Sequence, residues 1–370
     1  MKVILQISRF LVGGLFVFSG LVKLNDPYGT SYKLEEYFEV FGQNFSSFFY
    51  DLIPYSLSLS LFIIIAEVVL GVAVLVYYRM RQTTYVLLGL ILFFTFLTFY
   101  SAYFNKVTDC GCFGDFIKLT PWQSFAKDVI LLVFILVLFV YRNKKLTGFN
   151  DRIADYVVGA SVLISSFLGY YSLAHLPFFD FLPYSVKSNI KTNMQAEESP
   201  KFAYIMEKEG KEFIFDAIPS DTNYVYKNII IKNPGKSAPK ISDYRIWNDE
   251  GDFTDSSFTN NKLLVVVGNA DKVLKSSSIL DKLQRVNVLS KELEHQNVDV
   301  WVVTSSSMDE FEQLRHQTQL AIPYFYADGT VLKTMIRSNP GILLLQNGTV
   351  KGKWHINDIP ETDNILKKLQ

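Results

Sequence analysis

Residues 56–78 read SLSLSLFIIIAEVVLGVAVLVYY. The run carries a single acid, Glu67, and is long enough for a helix to cross the hydrocarbon core of a bilayer, which takes roughly 20 residues. Four more runs meet the same test, at about 3–23, 83–104, 121–141 and 153–173. Lipid offers the backbone no hydrogen-bonding partner, so each run is expected to satisfy its own N–H and C=O groups as a helix. Pro54 and Pro121 stand at the starts of two of them, where a missing N–H costs little. The opening run Val3 to Val22 is longer than a signal-peptide core. No small-residue cleavage site precedes Lys23-Leu24-Asn25-Asp26-Pro27, so the run reads as a retained span.

Charge placement orients these spans. Tyr78-Arg79-Met80-Arg81-Gln82 joins two of them, Tyr141-Arg142-Asn143-Lys144-Lys145 with Arg152 joins two more, and Lys2 lies at the N-terminus. By the positive-inside rule these segments are cytoplasmic. The loops at 24–55 and 105–120 then face outward, and an odd number of spans exports everything after Leu173. The expected location is the cytoplasmic (inner) membrane of a bacterium, N-terminus inside, with a periplasmic C-terminal domain. In the first outer loop Tyr32, Tyr37, Phe38 and Phe41 alternate with Lys33, Glu35, Glu36 and Glu39. That pattern predicts an amphipathic helix at the membrane surface. Across 370 residues, 36 Lys and Arg balance 36 Asp and Glu, so no net charge draws the chain to nucleic acid.

Two places in the membrane half carry candidate chemistry. The only cysteines are Cys110 and Cys112, in Asp109-Cys110-Gly111-Cys112-Phe113-Gly114 on an outer loop. Thiols at i and i+2 meet only if the backbone turns tightly, which Gly111 permits. A bridge there would be small and readily exchanged, so the pair reads either as a redox centre or as a static turn. Ionisable residues inside spans are expensive and are usually paired or functional. Glu67 lies mid-span, Lys127 and Asp128 lie in the outer third of the fourth span, and Lys23 closes the first at the same face. These groups read as a proton relay or a site for a polar head group, or else as buried ion pairs that set helix register. Arg9, near the inner face, is expected to snorkel. No metal-ligand spacing is present.

Gly14-Leu15-Phe16-Val17-Phe18-Ser19-Gly20-Leu21-Val22-Lys23-Leu24 resembles the first-helix signature of DoxX-like membrane proteins, and Ala66-Glu67-Val68-Val69-Leu70-Gly71 resembles their acidic motif. Cys110-Gly111-Cys112-Phe113-Gly114 is similar to the cysteine motif of the methylamine-utilisation protein MauE. The resemblance covers roughly residues 1–145 and implies a four-helix core. It also implies a role in maturation or disulfide formation of secreted proteins, with a quinone as the cofactor. Thiol oxidases of the vitamin K epoxide reductase type use a C-x-x-C pair, whereas this chain has C-x-C.

The remainder of the chain has globular patterning. A fifth span is expected within 146–175 and a linker at 176–200. Strand-like runs follow at 201–206, 212–216 and 224–232. A buried strand is expected at Leu263 to Val267, a long helix from Asp271 to Glu294, a strand at 298–304, a helix from Met308 to Gln317, and strands from Gly341 to Leu345 and Val350 to His355 around a tight Asn347-Gly348 turn. A helix at about 360–369 ends the chain. This α/β order resembles the thioredoxin-like fold over about 240–370, with Asn339-Pro340 at the cis-proline place. Where such proteins place a nucleophilic cysteine, this chain reads Gly268-Asn269-Ala270-Asp271, and no cysteine occurs anywhere in 201–370. Exchange chemistry needs a thiolate, so this domain is expected to bind rather than react.

The predicted protein is therefore an α-helical membrane bundle followed by an α/β thioredoxin-like domain. One reading has Cys110 and Cys112 exchange disulfides with an exported client or a separate thiol-redox protein, with Glu67, Lys23 and Asp128 supporting electron transfer to a quinone. The alternative is a non-enzymatic membrane scaffold or assembly factor whose cysteine-free domain binds a partner.

Overall fold

A computed structural model describes the chain except for Met1, residues 108–113, 115, 118, 145–149 and 222, and the side chain of Pro234. The chain divides into two units, residues 1–181 and 182–370.

The first unit is helical. Its elements are α1 (Lys2–Asn25), α2 (Pro27–Asn44), a 3-10 stretch at Ser47–Tyr55, α3 (Ser56–Val76), α4 (Met80–Phe104), α5 (Pro121–Val140) and α6 (Asp151–Ala174). Among the described residues, five helical stretches are long and apolar enough to cross a membrane: α1, α3 with its preceding 3-10 stretch, α4, α5 and α6. They lie where hydropathy placed them. Their outward faces are apolar, as at Phe62, Leu163 and Phe167. Water would penalise such a surface, but lipid solvates it.

Packing explains two glycines in the α1–α3 contact. A side chain on Gly13 would sit 2.9 Å from the Gly71 carbonyl oxygen, and one on Gly71 would sit 2.9 Å from that of Gly13. The two backbones therefore approach closely, as small residues allow within membranes. Leu5, Val12, Phe16, Val74, Ile91 and Leu131 are among the residues that fill the core. α2 forms as its alternation predicts. Asp26 caps it by accepting from Gly29 N at 3.0 Å, Pro27 starts it, and Leu34, Tyr37, Phe38 and Phe41 form its buried face. Arg9 departs from expectation. It is buried, its Nε donates to the Leu75 carbonyl at 2.9 Å, and its guanidinium lies 5.7 Å from the Tyr77 ring. The last carbonyls of α3 lack helical partners, and a guanidinium that satisfies one of them stays inside instead of reaching for water.

The second unit contains a mixed sheet and a small satellite sheet. In chain order it comprises α7 (Ile190–Asn193), β1 (Phe202–Lys208), β2 (Lys211–Phe215), β3 (Val225–Ile231), α8 (Pro234–Ser237), β4 (Trp247–Asn248), β5 (Gly251–Asp252) and α9 (Thr254–Ser257). Then come β6 (Asn261–Val267), α10 (Ala270–Leu274), α11 (Ser277–Glu294), β7 (Val298–Thr304), α12 (Met308–Thr318), β8 (Tyr324–Tyr326), α13 (Gly329–Met335), β9 (Gly341–Gln346), β10 (Thr349–His355) and α14 (Thr362–Leu369). The main sheet runs β10-β9-β6-β7-β8-β4-β5, with β6, β7 and β8 parallel and β9 and β10 antiparallel. Leu263 to Val267 are buried on both faces of β6, which suits a central strand covered by helices. The Asn347-Gly348 turn has positive φ at both positions, 49° and 75°, as a tight hairpin requires. Asn339-Pro340 is cis.

The single helix expected over 271–294 is instead two, α10 and α11. Ser276 takes an extended conformation (φ −122°, ψ 102°) between them and precedes two further serines. Serine side chains compete for local backbone groups and so favour helix ends over interiors. β1, β2 and β3 form a separate sheet, β2-β1-β3, in which β3 is exposed along its whole length. Residues from Leu182 onward are already part of this unit. Tyr184 and Ile190 are buried, and the backbones of Lys187 and Ser188 bond with Val350.

Candidate functional site

Helical spacing brings a set of polar side chains to the interior of the first unit. On α1, Ser19 and Lys23 are four apart and share a face; on α3, Ser60 and Glu67 are seven apart; on α2, Thr30, Lys33 and Tyr37 follow the same rule. Thr98 of α4 and Asp128 of α5 complete the set. Together with Phe16, Phe94, Leu97 and Leu131 they line a cavity of about 90 Å³.

Two carboxylates anchor this cavity. Glu67 is 2% exposed; its Oε1 accepts from Lys23 Nζ at 2.6 Å, and its Oε2 accepts from Ser19 Oγ at 3.4 Å. Lys23 Nζ also stands 5.0 Å from the centre of the Phe94 ring. Asp128 is 1% exposed; it accepts from Lys127 Nζ at 2.6 Å and from Thr98 Oγ1 at 3.0 Å. Charges buried this deeply persist only when paired and hydrogen-bonded, and each carboxylate here has a cation and a hydroxyl. Lys33 at the cavity wall pairs with Glu36 at 3.1 Å. Lys23, Glu67, Lys127 and Asp128 thus come together around one space. Glu67 takes Lys23, not Lys127, as its partner.

Cys110 and Cys112 lie outside the described residues. The described ends of their loop are held against the bundle. Val107 is fully buried among Tyr37, Phe41, Leu97 and Tyr100, and its carbonyl accepts from Ser101 Oγ. On the far side of the cysteines, a side chain at Gly114 would sit 3.8 Å from Val22, the residue before Lys23. Phe116 meets Phe18 edge-on, ring centres 6.1 Å apart. Both approaches lead to helices that line the cavity.

The family model of the methylamine utilisation protein MauE matches residues 1–141. The match takes in the α1–α5 bundle, the cysteine-bearing loop and every cavity residue named above. The N-terminal part is thus MauE-like, and the chain is a multi-pass membrane protein. No curated protein matches the chain. The second unit lies outside the MauE-like region.

Sequence reading alone missed Ser60, Thr30, Lys33 and Thr98. Only their helical spacing from better-marked residues could have signalled them, as with Ser60 seven before Glu67.

The second unit has its own candidate position, after the central strand. Asn339 Nδ2 donates to the Asn269 carbonyl at 2.9 Å, and Asn269 N donates back to Asn339 Oδ1 at 3.2 Å. Ala270 N donates to Ser306 Oγ at 2.7 Å, and Ser305 Oγ donates to the Gly268 carbonyl at 2.7 Å. The backbone at residues 268–270, just after the central strand, is bonded internally by amides and hydroxyls.

Proposed function

We propose that the protein supports thiol/disulfide redox chemistry in the maturation of exported proteins, with Cys110 and Cys112 as the exchanging pair. The observation that carries this reading is the cavity lined by two ion pairs, Lys23–Glu67 and Lys127–Asp128, and by helices that also hold both described ends of the cysteine-bearing loop. Proton-coupled electron transfer needs groups that hold and release protons away from bulk water. Glu67 with Lys23 and Asp128 with Lys127 are the ionisable pairs that line this cavity.

The balance is simple. The Cys110–Cys112 disulfide takes two electrons and two protons from a client dithiol, which becomes the client disulfide. The resulting Cys110 and Cys112 thiols return two electrons and two protons to a quinone, which leaves as a quinol. A C-terminal α/β unit of thioredoxin-like type, placed in the periplasm by the positive-inside rule, holds the client or a separate thiol-redox protein. It lacks cysteines and has a bonded-shut Asn269/Asn339 position, so it binds and does not exchange. That same feature favours the second reading, a scaffold whose C-terminal unit docks a partner while the cysteines stay static.

Trapping free thiols in cells separates the two readings. Alkylation with a mass tag, with and without respiratory quinone, is expected to find Cys110 and Cys112 oxidised in the first condition and reduced in the second. An unchanged redox state in both conditions refutes the exchange reading and leaves the scaffold.

A further inference from the structure

The hydroxyls of the membrane unit divide into two groups. Most are satisfied within their own helices. Ser8 Oγ donates to the Ile4 carbonyl at 2.9 Å, Thr84 to Met80 at 2.7 Å, Thr95 to Ile91 at 2.7 Å and Ser165 to Ser161 at 2.6 Å. This is the ordinary fate of serine and threonine inside a helix. Ser60 is different. It is 0% exposed, lines the cavity, and its Oγ has no hydrogen-bond partner among the described residues. Thr30 Oγ1, on α2 and also at the cavity, is likewise buried and unbonded. A buried hydroxyl without a partner costs about 1–3 kcal/mol, yet Ser60 has not turned to its own helix for one.

Donors and acceptors in the cavity are also unequal. The two carboxylates already accept two bonds each, from Lys23 and Ser19 and from Lys127 and Thr98. The lysines carry donors only. A ligand that brings acceptor oxygens meets the donors that Ser60, Thr30 and the lysines offer, between walls formed by Phe16, Phe94 and Leu131. A flat, uncharged carbonyl compound meets both demands.

We infer that Ser60, seconded by Thr30, donates a hydrogen bond to a carbonyl oxygen of the molecule that occupies this cavity, and that the Ser60 hydroxyl selects for carbonyl ligands. The inference rests on the redox reading only in its choice of carbonyl ligand. The ligand's carbonyl supplies an acceptor that no described residue gives the Ser60 hydroxyl, which makes Ser60 a binding residue.

The test uses the full chain in lipid nanodiscs and a short-chain 1,4-benzoquinone as probe, bound at equilibrium. Ser60→Ala is expected to weaken probe binding about 5- to 10-fold, in line with a hydrogen bond of about 1 kcal/mol. Its probe-free thermal stability should equal or exceed that of the parent. Ser60→Thr, which keeps the hydroxyl, should bind within about twofold of the parent. Ser165→Ala, which removes a satisfied hydroxyl that does not line the cavity, should leave binding unchanged. Equal binding by the parent and Ser60→Ala overturns the inference, as does equal weakening in Ser165→Ala. Failure of the parent chain to bind the probe also overturns it. The thiol state of Cys110 and Cys112 is read on the same samples. Ser60-dependent binding with an unresponsive cysteine pair would sink the redox reading and leave this one standing.

Discussion

The two halves of this chain solve the same problem with opposite arrangements. In the membrane half, α3 turns Phe62 outward at 71% exposure and keeps Glu67 inside. In the C-terminal half, β6 buries Leu263 to Val267 completely, and the charged pairs elsewhere in that unit are mostly at the surface. The solvent accounts for the difference. Water drives apolar area inward. Lipid gives no such drive between helices, so close backbone contact and internal polar bonds hold the bundle together. A buried charge in the bundle is costly, and one retained there calls for a role. Beside Arg337, the C-terminal unit holds a second buried cation, Lys262. It reaches Asp299 at 2.6 Å at the end of the parallel β6–β7 pair and stacks 5.2 Å from the Trp301 ring. It does not line the cavity of the membrane half, and its ion pair and ring contact read as structural.

The contrast can be broken most sharply at Glu67. Glu67→Leu would strand the Lys23 ammonium in the bundle interior and is expected to lower stability by about 3–5 kcal/mol. Removing both charges, as Lys23→Met with Glu67→Leu, should recover most of that, because an apolar pair of similar volume packs without desolvation cost. Thermal unfolding in nanodiscs reads both. A single variant as stable as the parent would mean that the ion pair is not buried as described.

A comparable loss is expected from one phenylalanine and almost none from another. Phe311 is fully buried in the second unit, and Phe311→Ala should cost about 3–5 kcal/mol by denaturant unfolding. Phe62 faces outward from α3, and Phe62→Ala should change stability by less than about 1 kcal/mol in lipid, where the lost contacts are replaced by acyl chains. Equal effects would erase the distinction between the two exteriors.

The smallest effect tests helix contact. Gly71→Ala places a methyl group 2.8 Å from Val17 N and 2.9 Å from the Gly13 carbonyl, and should cost about 1–3 kcal/mol by overpacking. Gly89→Ala on α4 meets nothing within 4 Å and gains helix propensity, so it should be neutral or slightly stabilising. The same unfolding assay in nanodiscs ranks the two.

Legibility differed between the halves for physical reasons. The spans were readable because the bilayer demands length and apolarity at every position, and little else resembles that. In the second unit, β6, β7 and the β9–β10 hairpin were readable from β-branched runs and Asn347-Gly348. The break at Ser276 was not, since the apolar spacing continues through it. β8 and α13 escaped because they are short and carry no periodic signal. Within the site, the charges announced themselves by being out of place. Their pairing did not, because Lys23 could have reached other acids. Ser60 was silent, since a serine in an apolar helix normally bonds to the preceding turn.

Hydropathy, length and residue order alone dictated the five apolar helices of membrane-spanning length, the polar second half, and the presence of two cysteines in one half and none in the other. Those properties are sums over a local stretch of chain, and each can be evaluated without knowing what lies beside it. Only tertiary structure decided that Glu67 meets Lys23, that Asp128 meets Thr98, and that Ser60 is left unbonded at their cavity. Each of these is a distance between helices far apart in sequence. It is set by how Gly13 and Gly71 let the backbones approach, and no local sum contains it.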